Sequence, residues 1–159
     1  MLKFSRKVDY GLILLSKLCA EPEASSAREM AARYRLPQPM VANILKALAG
    51  AGILDSTRGA QGGYELARRP EQISLADVVE ALEGPFSLVE CISGGPEQHG
   101  GGEGPPPGEK SACKFISLCP THDPLHMVHR KFTEFMSGLT IDQISESRKA
   151  APASGPPGS

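Results

Sequence analysis

No run of about 18 consecutive apolar residues occurs in this 159-residue chain, which excludes a conventional membrane-spanning helix. The first 20 residues open with charge, but Lys3, Arg6, Lys7, Asp9 and Lys17 interrupt the apolar positions. No small-residue cleavage site follows, so no signal peptide is expected and the cytoplasm is the expected compartment. The constellations of an enzyme are missing too: there is no nucleophile and base pair, phosphate-cradling loop or carboxylate pair with motif support. No small-molecule substrate, membrane partner or internal repeat is therefore expected. Net charge is nearly absent, at -1, and on its face argues against a polyanionic partner.

The charge sum conceals an asymmetry. Up to Arg69 there are 11 Lys and Arg against 6 Asp and Glu, a balance of +5; beyond it there are 6 against 12, a balance of -6. A basic block is what phosphate binding requires, because each neutralised phosphate releases condensed counterions. A solvated basic surface carries the same signature.

Apolar periodicity organises the basic part. Val8, Leu12, Leu15 and Leu18 predict a helix over residues 5–19 with a wide buried face. Ser26 and Glu29 have the spacing of a capping box and start a second helix through Tyr34. Pro39 suits the first turn of a third helix running to about Gly50, with Val41, Ile44, Leu45 and Leu48 inward. Residues 52–56 and 63–67 read as two strands joined by a glycine-rich turn. Three helices followed by a hairpin is the plan of a winged helix-turn-helix, in a mainly α chain.

In that plan the third helix enters the major groove and the hairpin, or wing, reaches the backbone or minor groove. The outward positions Gln38, Pro39, Met40, Asn43 and Lys46 become candidates for DNA contact. Gln and Asn can pair with adenine edges, and Lys with guanine or phosphate. Arg58 suits a narrow groove, and Gly62 and Gly63 allow close backbone approach. Winged helices also serve as protein-interaction modules, so an adaptor is the alternative reading.

In the acidic part, Ser74 and Asp77 cap a helix to about Glu83. Glycine and proline supply 11 of the 18 residues from 94 to 111, a composition that predicts a flexible loop. Asp123-Pro124 opens a long helix in which Leu125, Val128, Phe132, Phe135 and Leu139 recur at intervals of 3 and 4, a seam suited to a partner helix. Residues 146–159 are expected to be a disordered tail. The expected domains are a DNA-binding unit over 1–70 and a cluster-binding and dimerisation unit over 71–145.

There are four cysteines. Cys19 lies at helical spacing in an apolar run and reads as a small core residue. Cys91, Cys113, Cys119 and His122 are separated by 21, 5 and 2 residues. Three thiolates and an imidazole suit zinc or an iron-sulfur cluster. The absence of a tight cysteine pair disfavours a zinc knuckle and favours the larger cluster, and a disulfide is the third option. His126 and His129 read as solvent-facing or interface residues, and His99 in the loop has no assigned role.

Four segments together resemble the Rrf-type transcription regulators, the family of the IscR, NsrR and SUF-assembly regulators. They are Leu2 to Gly11, the wing from Arg58 through Gly62-Gly63-Tyr64 to Leu66, Ala81 to Pro85, and Cys91 with the Cys113 to His122 segment. The resemblance covers roughly residues 1 to 145. It implies a homodimer that binds a two-fold symmetric double-stranded DNA operator, and an iron-sulfur cluster held by Cys91, Cys113 and Cys119. IscR-like members add a histidine two residues past the last cysteine, matching His122 and a 2Fe-2S cluster, the favoured reading. NsrR-like members add an aspartate from the partner subunit, matching Asp9 and a 4Fe-4S cluster. The 21-residue gap after Cys91 is longer than the family pattern. A cluster-sensing regulator of iron-sulfur assembly or of redox and nitric oxide stress genes is the function this implies. A metal-stabilised or metal-free adaptor and a cluster carrier or redox protein are its rivals.

Overall fold

A computed structural model describes residues 4–59, 62–88 and 118–150. Helix α1 (Arg6–Ala20) begins at Ser5, whose side chain accepts hydrogen bonds from the Lys7 and Val8 amides. Helix α2 (Ala27–Tyr34) begins with the expected capping box: Ser26 accepts from the Glu29 amide, and the Glu29 carboxylate accepts from the Ser26 amide. Its C-cap, Arg35, is left-handed with φ 54, the only non-glycine residue with positive φ among the described residues. The chain turns there through Pro37 into α3 (Gln38–Gly50), with Pro39 in the first turn, where its missing amide costs nothing.

Strands β1 (Leu54–Thr57) and β2 (Gly63–Leu66) pair antiparallel, with Leu54 opposite Leu66 and Thr57 opposite Gly63. A third segment joins them: Ser25 forms an antiparallel bridge with Tyr64. A 3-10 turn (Pro70–Gln72) leads to α4 (Leu75–Glu83), again opened by a capping box, Ser74 with Asp77. Losing an N-cap hydroxyl costs about 1 kcal/mol. Ser74→Ala is thus expected to lower stability by about 1 kcal/mol, and Ser74→Thr by much less, as measured by urea denaturation.

Leu14, Leu15 and Leu18 of α1, Val41, Leu45 and Leu48 of α3, Ile73, and Val78 of α4 form the buried core. Gly11 faces α4, where a Cβ would lie 2.6 Å from Leu82 Cδ1, the end of a side chain that would have to shift. Ser5 also donates to Glu83, tying the start of α1 to the end of α4. Two of the segments that carry the family resemblance are thus packed on each other.

The chain divides into two compact units, and not at residue 70 as expected. One comprises residues up to Gly84 together with those from Met136 onward; the other comprises Pro85–Phe135. The reason is that α4 packs on α1 and α3, and α6 (Ile141–Ala150) packs on α1. Backbone bonds close this return: the Leu75 amide donates to Leu139 (2.8 Å) and the Ile141 amide to Ile73 (2.9 Å). Helix α6 carries through residues 146–150, which the sequence reading placed in the tail. Residues 151–159 and the expected loop at 94–111 lie outside the described residues. Cys19 is half-buried rather than a core residue; burial raises its thiol pKa, partly offset by a hydrogen bond with Ser145. Among the described residues, no helix is long and apolar enough to cross a membrane.

Candidate DNA-reading surface and cysteine-histidine site

Helix α3 sorts its side chains by its own periodicity. Val41, Ile44, Leu45 and Leu48 are buried, whereas Gln38, Pro39, Asn43 and Lys46 are exposed and Met40 is half-buried. No side chain caps α3, and its first turn carries no acid. The positive end of the helix dipole is therefore not neutralised by its own sequence, which favours a phosphate there. Arg35, exposed in the turn just ahead of α3, adds a cation that sequence reasoning passed over. Its signal was available: a basic residue between a helix end and a Pro-opened helix falls at the turn of the motif.

The wing hairpin places Arg58, exposed, immediately after β1. Gly59 follows with φ 124, a conformation that L side chains rarely adopt, and its carbonyl accepts from the Gly62 amide at 3.0 Å. Gly62 and Gly63, expected to serve DNA approach, have a further reason to be glycine within the fold itself. A Cβ on Gly62 would lie 2.2 Å from the Thr57 carbonyl, and one on Gly63 would lie 2.7 to 2.8 Å from the Ser25 backbone. Both positions need glycine because the protein's own backbone occupies the space.

Of the expected metal-binding set, Cys119 and His122 are described, and Cys91 and Cys113 lie outside the described residues. Cys119 precedes α5 (His122–Gly138), and its Sγ lies 3.2 Å from the Thr121 hydroxyl. That hydroxyl, with the amides of Thr121 and His122, holds the Cys119 thiol below its usual pKa. A stabilised thiolate is the form that binds metal. His122 Nδ1 donates to the Asp123 carboxylate at 2.9 Å, which fixes the tautomer and leaves Nε2 as the donor atom. Among the described residues no three His, Cys, Asp or Glu side chains form a metal-sized group. Asp9 is exposed on α1, in the other compact unit from Cys119.

His126 and His129 are half-buried rather than solvent-facing. The His126 ring lies 4.4 Å from that of His122, and His129 stacks on Phe86 at 5.6 Å with an interplanar angle of 4°. Among the described residues, His126 Nε2 and His129 Nδ1 find no hydrogen-bond partner, and both atoms are buried. Burial, then the neighbouring His126, lowers the His129 pKa.

The apolar seam of α5 is partly occupied from within. Phe132 stacks on Phe86 at 5.1 Å, while Val128 is 48% and Phe135 59% exposed, and Leu125 is half-buried. Leu139 does not belong to this helical seam. Helix α5 stops at Gly138, and Leu139 lies in the link whose neighbour Thr140 bridges Ser74. The helix ends there because Thr140 and Gln143 cap the next one: the Thr140 amide donates to the Gln143 carboxamide, and the Gln143 amide to the Thr140 hydroxyl.

Known proteins share this fold. The family profile Rrf2, iron-dependent transcriptional regulator, matches residues 4–147. The chain is 26% identical over 148 residues to Protein aau3 of Rhizobium meliloti, spanning 92% of this chain and 87% of that one. It is also 26% identical over 149 residues to the HTH-type transcriptional regulator NsrR of Geobacillus kaustophilus, spanning 92% of each. Among solved structures it is similar to T. potens IscR, with a TM-score of 0.63 and 25% identity over 97% of this chain and 94% of that one. The fold is also that of B. subtilis CymR, a global cysteine regulator, with a TM-score of 0.65 and 23% identity over 92% and 98% of the two chains. A profile match across nearly the whole described fold, carried by a helix-turn-helix and wing, means that the chain belongs to the Rrf2 family of DNA-binding transcriptional regulators.

Proposed function

We propose that this regulator senses an iron-sulfur cluster, held by Cys91, Cys113, Cys119 and His122, and reads a two-fold symmetric operator as a homodimer. The observation that carries it is the Cys119 thiol, its Sγ 3.2 Å from the Thr121 hydroxyl, placed three residues ahead of a His122 ring oriented by Asp123. Soft thiolates and an outward imidazole nitrogen are the donor chemistry a 2Fe-2S cluster takes. Regulators of this family bind DNA, usually as dimers, and the exposed Val128 and Phe135 of α5 supply an apolar face for a second copy. Gln38, Asn43 and Lys46 on α3 read the major groove, and Arg58 on the wing holds the backbone.

A bound cluster supplies redox and nitric oxide sensitivity. The chain's part is to link the occupancy of that site to the spacing of two reading heads. Such coupling is typically about 1 to 3 kcal/mol, a 5- to 150-fold change in DNA affinity. The genes suited to this control are those of iron-sulfur assembly or of redox and nitric oxide stress.

Purified without oxygen, the protein is expected to be coloured and to contain iron and acid-labile sulfide. Cys113→Ala should abolish both. His122→Ala should change the resonance Raman and Mössbauer signatures while Asp9→Ala leaves them alone; the opposite pattern assigns the fourth ligand to Asp9. Asp123→Asn, which removes the orienting carboxylate, should weaken cluster retention about 10-fold, the lower end of such effects. A colourless, zinc-loaded wild type would overturn the cluster reading and leave a zinc-stabilised regulator.

A further inference from the structure

Lys17 is the one buried charged side chain among the described residues, at 7% exposure. It lies on α1 beside Leu14, Leu15 and Leu18, a place where leucine or methionine would bury the same aliphatic stem without the cost of taking an ammonium out of water. Its Nζ donates to the Ser25 hydroxyl and lies 3.7 Å from Glu21. The Glu21 carboxylate is taken up by Arg33, which donates to both its oxygens at 2.7 and 2.8 Å. Lys17 is thus shared between the Ser25 hydroxyl and a Glu21 carboxylate that Arg33 also holds.

Ser25 is also where the wing docks. Its amide donates to the Tyr64 carbonyl at 3.1 Å, its carbonyl accepts from the Tyr64 amide at 2.9 Å, and its backbone fills the space beside Gly63. A continuous line of contacts runs from the Lys17 ammonium through the Ser25 hydroxyl and backbone to β2. Each link lies inside one compact unit.

We infer that Lys17 is a positioning residue for DNA binding: it fixes Ser25 as the anchor strand of the wing and so sets where Arg58 meets the phosphate backbone. The inference rests on the reading that the wing touches DNA. Lys17 itself has no need to reach the duplex. Removing its ammonium leaves the Ser25 hydroxyl only its long bond to the Glu23 carbonyl, at 3.5 Å, which loosens the two backbone bonds to Tyr64 and lets the wing swing away from the DNA.

Lys17→Met keeps the stem and deletes the charge. With full-length protein and mixed-sequence duplex DNA titrated over a range of salt, the variant is expected to bind about tenfold more weakly. Its salt slope should fall by about 0.9, the value for one lost phosphate contact. Adding Arg58→Ala to Lys17→Met should then cost nothing more, although Arg58→Ala alone weakens binding; a general loss of stability would leave the Arg58 contribution intact. The Tyr64 amide should exchange faster in Lys17→Met. Ser25→Ala should reproduce the weaker binding and faster exchange, and it stands in where Lys17→Met fails to fold. Wild-type affinity in both variants, with Arg58→Ala still costing its full share, overturns the inference. If Arg58→Ala is silent in the wild type, the wing reading fails instead. Tyr64 exchange then decides the anchoring role: faster exchange in either variant sustains it, and unchanged exchange in both ends it.

Discussion

Gly63→Val is expected to destabilise the protein by about 3 kcal/mol and to weaken DNA binding more than tenfold. Overpacking a tight site costs about 1 to 3 kcal/mol, and each backbone hydrogen bond lost adds about 1 kcal/mol. The first branch atom of the new side chain would meet the Ser25 amide nitrogen, carbonyl carbon and oxygen, all within 2.8 Å. Backbone cannot rotate aside as a side chain can. The strand must therefore leave Ser25, and the two Ser25–Tyr64 bonds break with it. Gly52 and Gly59 provide the contrast: each has positive φ but open space beside it. Alanine there costs only backbone strain, of order 1 kcal/mol. Urea midpoints for the three variants, with DNA titrations on the folded ones, separate the cases. A wild-type midpoint for Gly63→Val would show that the Ser25 contact is dispensable.

Leu48→Ala is expected to cost about 3 to 5 kcal/mol, the upper part of the range for buried leucines. Leu48 is fully buried on α3, and its carbonyl accepts from the Ile53 amide at 3.0 Å, just before β1. The cavity would therefore open where α3 passes into the hairpin. With total stability of domains this size at about 5 to 15 kcal/mol, the variant sits near the limit of folding. Chemical denaturation should show a lower midpoint with an unchanged slope. Exposed Asn43→Ala on the same helix should leave the midpoint within about 0.5 kcal/mol of wild type, while weakening DNA binding.

Much of this architecture can be read directly from the residues. Ser26 with Glu29 and Ser74 with Asp77 mark their helix starts because a short side chain can satisfy amides only at that spacing. Gly84, with φ 83, ends α4 where the sequence predicts. The four-residue strands fall within two residues of their expected places. What escapes the pattern is whatever depends on distant segments meeting. Nothing local to Ser25 announces its bridge to Tyr64, and Lys17 reads as a polar interruption of an apolar helix until its partner, eight residues on, is seen in space. Nor does Thr140 reveal that its segment returns to Ser74. In the candidate site, the Cys119 and His122 spacing is legible, whereas the stacking that half-buries His129 comes from Phe86, 43 residues away in sequence.

The path of the chain through its two units also fixes an order of events during synthesis. The first unit is left at Gly84 and completed only when Met136 and α6 return to it. At about 5 to 20 residues per second, a ribosome needs roughly 3 to 10 seconds to make the intervening stretch. Through that interval the α1 surface beside Cys19, which α6 later covers, stays open to chaperones and to thiol chemistry. Topologically, residues 85–135 are an insertion into an otherwise continuous reading head. Lengthening an insertion raises its closure entropy only logarithmically. The stretch between Cys91 and Cys113 can therefore change in length at small cost to the unit that carries α3 and the wing.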